Sequence, residues 1–442
     1  MNEAASQTLE RLRSGALAGS TRLNLAGGLT EFPPEIFSLA DSLEVLDLSG
    51  NALSDLPQDL PRLCKLRILF CSNNRFTHLP EVLGRCEQLD MVGFKSNRIS
   101  QVGAAALPPR LRWLILTGNE ISELPDELGR RPRLQKLMLA GNRLSRLPDS
   151  LAACDRLELL RIASNRFEEL PGWLFDLPRL SWLAFAGNPV AQASEERAVV
   201  SHPVPEIAWD RLQLHEVLGQ GASGVIHRAT WNDGIAGRAV AAKLFKGEMT
   251  SDGSPLSEMD ACIAAGPHPD LIAVRGRIAG HPSGTPGLVL DLVDAAYRNL
   301  AGPPSFESCT RDVYDDATRF RWKSVLAIAG GIASAVAQLH DRGIVHGDLY
   351  AHNILWDGAH DALLGDFGAA SFFTPGSGQA MGLQRIEARA FGCLLEELLQ
   401  RCGDAHPQRG RLEHLQAQCV DADPRQRPAF AEIAATLRST QG

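Results

Sequence analysis

Three glycines, Gly219, Gly221 and Gly224, stand at G-x-G-x-x-G spacing in the run LGQGASGVIHRATW. That spacing lets main-chain N–H groups approach a phosphate, but dinucleotide-binding units use it too. The residues after the third glycine separate the two. A dinucleotide unit needs a helix there, whereas VIHRATW keeps the two-residue alternation of a strand, and AVAAKLF (239–245) reads as the next strand, with Lys243 in it. Further along, HGDLYAHN (346–353) carries Asp348 and Asn353, and LLGDFGAA carries Asp366. A lysine, two carboxylates and a carboxamide downstream of such glycines point to phosphate chemistry, and the elements that carry them must decide their roles.

A chain of 442 residues is too long for one ordinary core, so two or three domains are expected. The formal charge of −8 leaves no basic reservoir for a phosphate backbone, and nucleic acid is not expected as a partner. Nine cysteines without C-x-x-C spacing suggest reduced thiols and a reducing, cytoplasmic compartment. The start, MNEAASQTLERLRSG, has no basic and apolar halves of a signal peptide and reads as a capping helix over 1–19. The most apolar segment, VLAIAGGIASAVA (325–337), is shorter than the roughly 20 residues that cross a bilayer and is expected as a buried helix rather than a membrane span.

The first half is governed by a period. Asn51, Asn74, Asn97, Asn119, Asn142, Asn165 and Asn188 recur at gaps of 23, 23, 22, 23, 23 and 23, each eight residues after a leucine in the frame L-x-x-L-x-L-x-x-N. Three inward apolar side chains per unit cannot be buried by one unit alone, so stacked neighbours must share a core. The frame resembles leucine-rich repeats, about eight units over 20–190, which implies an α/β solenoid with the asparagines bonding turn backbone. Strand positions outside the leucine frame carry Phe70, Met91, Trp113, Ile115, Met138 and Trp182. An apolar stripe of this kind implies a docking groove for a protein partner or for the chain's own second half; the alternative is that the side chains pack on one another.

After a polar cap and linker at 191–208, the remaining motifs arrive in an order that resembles the eukaryotic-type protein kinase family over about 209–440. The glycine-rich strands are followed by LSEMDACIAAGPHPDLI, similar to the family's regulatory helix, then by GLVLDLV, the catalytic-type loop, Asp366-Phe367-Gly368 and CVDADPRQRPAFAEI. The resemblance implies a two-lobed α+β fold with an N-lobe at 209–293 and a C-lobe at 294–442. It also implies ATP and Mg²⁺ as cofactors. Gly219, Gly221 and Gly224 would cover the phosphates, Ile226 and Ala241 the adenine, and the backbone from Asp291 to Val293 would face the base beside a gatekeeper Leu290. Lys243 would hold the α- and β-phosphates and pair with Glu258, Asp348 would take the acceptor hydroxyl's proton, and Asn353 and Asp366 would hold Mg²⁺.

Several positions depart from the family pattern. Gly347 stands where an arginine usually pairs with an activation-loop phosphate, which implies that no such phosphate is required. Tyr350 replaces a lysine that reaches the transferred phosphate; His352 either supplies that contact or is a surface histidine. His346 is expected beneath Phe367, and Cys262, one turn after Glu258, as a core filler. A zinc site from His346, His352 and His360 matches no ligand spacing. The segment after Asp366 is short and lacks Ala-Pro-Glu, Glu387 stands in for an aspartate that ties the next helix to the loop, and Arg427 lacks its usual glutamate. The expected protein is an ATP-dependent protein kinase, with Ser/Thr rather than Tyr as acceptor and a repeat domain for protein binding or autoregulation. The alternatives are a nucleotide-binding pseudokinase scaffold and a kinase of a small hydroxyl-bearing molecule.

Overall fold

The computed structural model describes residues 3–234, 237–247 and 249–440. It divides into two compact units, Met1–Leu160 with Asn165–Leu177, and Arg161–Ser164 with Pro178–Gly442.

The first unit begins with the helix Glu3–Arg13, which buries Ala5, Leu9 and Leu12. Three-residue strands come next at Arg22–Asn24, Val45–Asp47, Ile68–Phe70, Met91–Gly93, Trp113–Ile115 and Lys136–Met138, each parallel to the next in register. Short 3-10 turns such as Glu81–Arg85 and Asp126–Arg130 return the chain between strands. The asparagine of each unit satisfies backbone that the coil would otherwise leave unpaired. Asn51 accepts from the N–H groups of Gly27 and Leu29 at 2.9 and 3.0 Å and donates to the carbonyls of Leu25 and Leu48 at 2.7 and 2.9 Å. With donors and acceptors both used, Asn51 is only 9 % exposed, and burial without such pairing would be costly.

Side chains of the apolar stripe cover one another in part. Met91 is 1 % exposed, and Phe70, Trp113, Ile115 and Met138 are half-buried. In-register parallel strands about 4.8 Å apart place equivalent side chains one above the next, so large ones cover one another. The Trp113 indole donates to the Met138 sulfur at 3.3 Å, and the Lys136 ammonium sits 4.3 Å from the Trp113 ring centre. Phe70 lies over Gly93, where even a methyl group would meet its ring at 2.5 Å. Trp182, also 1 % exposed, lies in the second unit.

The second unit has a six-stranded sheet ordered Leu212–Gln220, Gly224–Asn232, Gly237–Phe245, Gly287–Asp291, Val274–Ala279 and Glu206–Ala208, antiparallel except for the last pair. The stretch expected as a polar linker holds all but the first two residues of the helix Pro189–Ser201, and that last strand. The helix Pro255–Ala265 starts at Ser254, whose hydroxyl accepts from Leu256 N–H, has Pro255 in its first turn, and ends at Gly266 with φ +65°. It packs Met259 and Ile263 with Phe245 and Leu288 of the sheet. The helices Trp322–Asp341, Ala380–Gln400, Arg409–Cys419 and Phe430–Thr440 complete the unit, with the small sheet Arg298–Asn299, Ile354–Trp356 and Ala362–Leu364. Trp322–Asp341 is long and apolar enough to cross a membrane by length and composition, and 61 % of its most apolar window is buried within the protein.

Candidate active site

The glycine-rich turn is built by backbone geometry. Gly219 and Gly221 have open space where a side chain would stand, whereas a methyl group at Gly224 would meet the Leu244 carbonyl at 2.5 Å. Beneath this turn lies a 210 Å³ cavity lined by Gly221, Gly224, Ile226, Lys243, Thr250, Asp252, Asp366 and Gly368, among others. Gly219, Ala241, Asp291 and Val293 are not among its lining residues. Ala241 pairs with Leu290 across the sheet, and the Asp291 carboxylate is held by Arg275 and Arg238.

Lys243 and Glu258 form an ion pair in which Glu258 is 1 % exposed. Burial is the largest influence on Lys243 and pulls it down, but Glu258, Cys262 and Asp366 together outweigh it and hold the ammonium above its ordinary range. Burial pushes Glu258 up despite Lys243. Asp366 adds negative charge beside both and takes φ +53°, a left-handed conformation unusual outside glycine and common where a site stores backbone strain. Cys262, with its thiol pushed up to about 12 by burial, is no nucleophile.

The catalytic-type loop is held from both sides. His346 bonds the Gly365 carbonyl at 2.9 Å and lies 5.1 Å from the Phe367 ring. Glu387 accepts from Gly347 N–H at 2.8 Å and pairs with His340 at 2.7 Å, tying its helix to the loop. Burial alone would raise Glu387, but His340 and the Gly347 N–H outweigh it and hold the carboxyl below its ordinary range. Asn353 donates its amide to the Asp348 carbonyl and carboxylate at 2.9 and 2.8 Å, which leaves its amide oxygen as the acceptor it could offer a cation. His352 pairs through its Nδ1 with Asp312 at 2.7 Å. Burial opposes its charge, but Asp312 raises it above the ordinary histidine value.

Two departures acquire a physical cause here. Gly347 has φ +72°, and a methyl group there would meet the carbonyl oxygens of Ala369 and Leu183 at 2.5 and 2.7 Å. An arginine cannot stand where two carbonyls close on the α-carbon. Gly347→Ala is therefore expected to cost about 1–3 kcal/mol of stability, read as a lower denaturation midpoint; an unchanged midpoint would mean the backbone is free to relax. Arg427, 2 % exposed, donates instead to the Pro178 carbonyl at 2.6 Å. Tyr350 stacks on Trp182 at 4.2 Å and 7°, while the Trp182 indole donates to the Leu349 carbonyl at 3.2 Å.

Arg161 is the residue that sequence reasoning missed. It is 1 % exposed; its Nε donates to Asp252 at 2.7 Å, its Nη1 to the Gly347 carbonyl at 3.0 Å, and its Nη2 to the Asp348 carboxylate. Asp252 is placed by a turn in which the Thr250 hydroxyl accepts from the N–H groups of Asp252 and Gly253 at 3.2 and 3.1 Å. The signal that could have found it is a lone cation at a strand position where other repeats carry Asp47, Phe70, Ile115 and Met138, together with a loop short of cations.

The family model described as protein tyrosine and serine/threonine kinase matches residues 212–388, and leucine-rich repeat models match 132–190 and 42–63. The chain is a leucine-rich repeat array followed by a protein kinase domain. Similar curated proteins include a "Probable inactive leucine-rich repeat receptor kinase XIAO" of Oryza sativa subsp. japonica, 35 % identical over 158 residues and 34 % of this chain. The serine/threonine-protein kinase PkaB of Streptomyces coelicolor is 28 % identical over 172 residues, 36 % of the chain. A probable leucine-rich repeat receptor-like kinase, IMK3 of Arabidopsis thaliana, is 25 % identical over 171 residues, 38 % of the chain. The matches span 13, 37 and 20 % of these relatives' own lengths.

Proposed function

We propose that the protein is an active ATP- and Mg²⁺-dependent protein kinase, with Ser or Thr as the acceptor and a cytoplasmic site of action. The observation that carries this reading is the Lys243–Glu258 pair facing Asp366 across a cavity roofed by Gly221 and Gly224, with Asp348 and Asn353 bonded on the adjoining loop. The acceptor oxygen attacks the γ-phosphorus, its proton passes to Asp348, and the bond to the β-phosphate oxygen breaks to release ADP. Lys243 fixes the nucleotide's phosphates, and Glu258 fixes Lys243. The donor set suits a divalent cation, since Asp366 and the Asn353 amide oxygen are hard oxygen ligands; when bound, Mg²⁺ would neutralise the phosphates. The repeats would present a protein-binding surface, without nucleic acid and without a membrane-spanning role for Trp322–Asp341.

A second reading is a nucleotide-binding scaffold. It is favoured by Trp182 and Arg161 lying against the catalytic loop, where an acceptor would have to approach. Pure protein incubated with Mg²⁺ and γ-labelled ATP, then mapped by mass spectrometry, separates the two. Labelled serines or threonines support the kinase; tight nucleotide binding with neither labelled residues nor ADP release supports the scaffold.

A further inference from the structure

The catalytic loop lacks both basic residues that its family pattern would supply, yet Asp348 has a cation. We infer that Arg161, carried on the repeat strand Leu159–Arg161, is a positioning residue for phosphoryl transfer that orients the Asp348 carboxylate. This rests on the reading of Asp348 as the proton acceptor.

The guanidinium is a rigid fork, and three of its nitrogens bind Asp252, the Gly347 carbonyl and Asp348. With Asn353 on the other Asp348 oxygen at 2.8 Å, both carboxylate oxygens are fixed by planar donors, an orientation a mobile lysine would hold less tightly. The loop's own positions cannot supply the charge: Gly347 is closed by two carbonyls, and Tyr350 is stacked on Trp182.

The segments around Arg161 are fastened to the kinase domain. Phe185 and Ala186 N–H groups donate to the Ser371 hydroxyl at 2.8 and 3.0 Å, Arg389 donates to Ser181 at 2.6 Å, and Ile162 N–H reaches the Ala184 carbonyl at 2.8 Å.

The test uses the full chain with Mg²⁺-ATP, monitoring ADP release and labelling of the chain itself. Arg161→Gln is expected to lower kcat by about tenfold or more, with KM for ATP within about threefold. Arg161→Lys should recover part of the rate. Asp252→Asn, which keeps Arg161 but loosens its hold, should lower kcat by less than Arg161→Gln with KM for ATP unchanged, and it decides the matter if Arg161→Gln does not fold. A faster Arg161→Gln enzyme would make Arg161 a gate on the acceptor site and overturn the inference, as would an unchanged kcat in both variants. A wild type that neither releases ADP nor labels itself overturns both this and the kinase reading, whereas an active wild type with indifferent variants overturns only this one.

Discussion

Asp348→Asn is expected to lower phosphoryl transfer by about 10²–10⁴-fold, the range for loss of a positioned proton acceptor. Asparagine keeps the size of the group and its acceptor for Arg161, so the variant removes basicity rather than the loop. It also leaves Arg161 with one anionic partner, Asp252, instead of two. A buried guanidinium half-compensated in this way is expected to cost about 1–3 kcal/mol, so activity must be normalised to the folded fraction. Initial ADP release per folded molecule checks the result. Retention of wild-type turnover would remove Asp348 from the chemistry and with it the proposed function.

The parts of this site that are legible in the sequence are those whose geometry is local. The repeat frame can be read because each asparagine serves its own turn and its neighbour's, as Asn51 does for Gly27, Leu29 and Leu48, so the same residues must recur at one period. Lys243, Glu258, Asp348, Asn353 and Asp366 can be ordered because each sits in a short motif whose backbone conformation the neighbouring glycines and the Ser254 cap dictate. Arg161 obeys no such local rule. It occupies a strand position that the leucine frame leaves open, and its partner Asp348 is 187 residues away. Trp182 reads as part of a groove for a partner or for the chain's own second half, but the repeat frame does not say which ring covers it: that ring belongs to Tyr350 in the catalytic loop. The lost glutamate of Arg427 is visible in the sequence, but not the Pro178 carbonyl that takes its place. Each miss is a contact between distant segments, and each lies where the family pattern is already broken.

Those breaks share a physical logic. The short segment after Asp366 leaves loop backbone and Arg427 without their usual partners, and the stretches Arg161–Ser164 and Pro178–Asn188 meet those needs with carbonyls, N–H groups and a guanidinium. A kinase domain expressed from Trp209 onward would lack all of them. It would expose Tyr350, Ser371 and Arg427 and strip Asp348 of its cation, so isolated-domain assays cannot stand in for the full chain.

Lys243→Met is expected to abolish transfer to within the background of the assay, and its effect on stability should depend on pH in a direction the burial of Glu258 dictates. With Lys243 present, burial already holds Glu258 above its ordinary value; without the ammonium, the desolvation and the Asp366 charge act unopposed and raise it further. A carboxyl whose folded pKa lies above its unfolded value of about 4.3 stabilises the fold fully below that value and loses the contribution as pH rises through the folded pKa. The variant should therefore match wild type most closely near pH 4 and fall behind it progressively toward neutrality, by about 1.4 kcal/mol for each unit of added shift. Adding Glu258→Gln removes the buried charge, so the double variant should regain stability at neutral pH while remaining inactive. Chemical denaturation of the three proteins from acid to neutral pH reads the stability, and ADP release reads the activity. Parallel stability curves for wild type and Lys243→Met would mean that Glu258 finds water or another partner when the lysine is gone, and the ion pair would then serve the nucleotide alone.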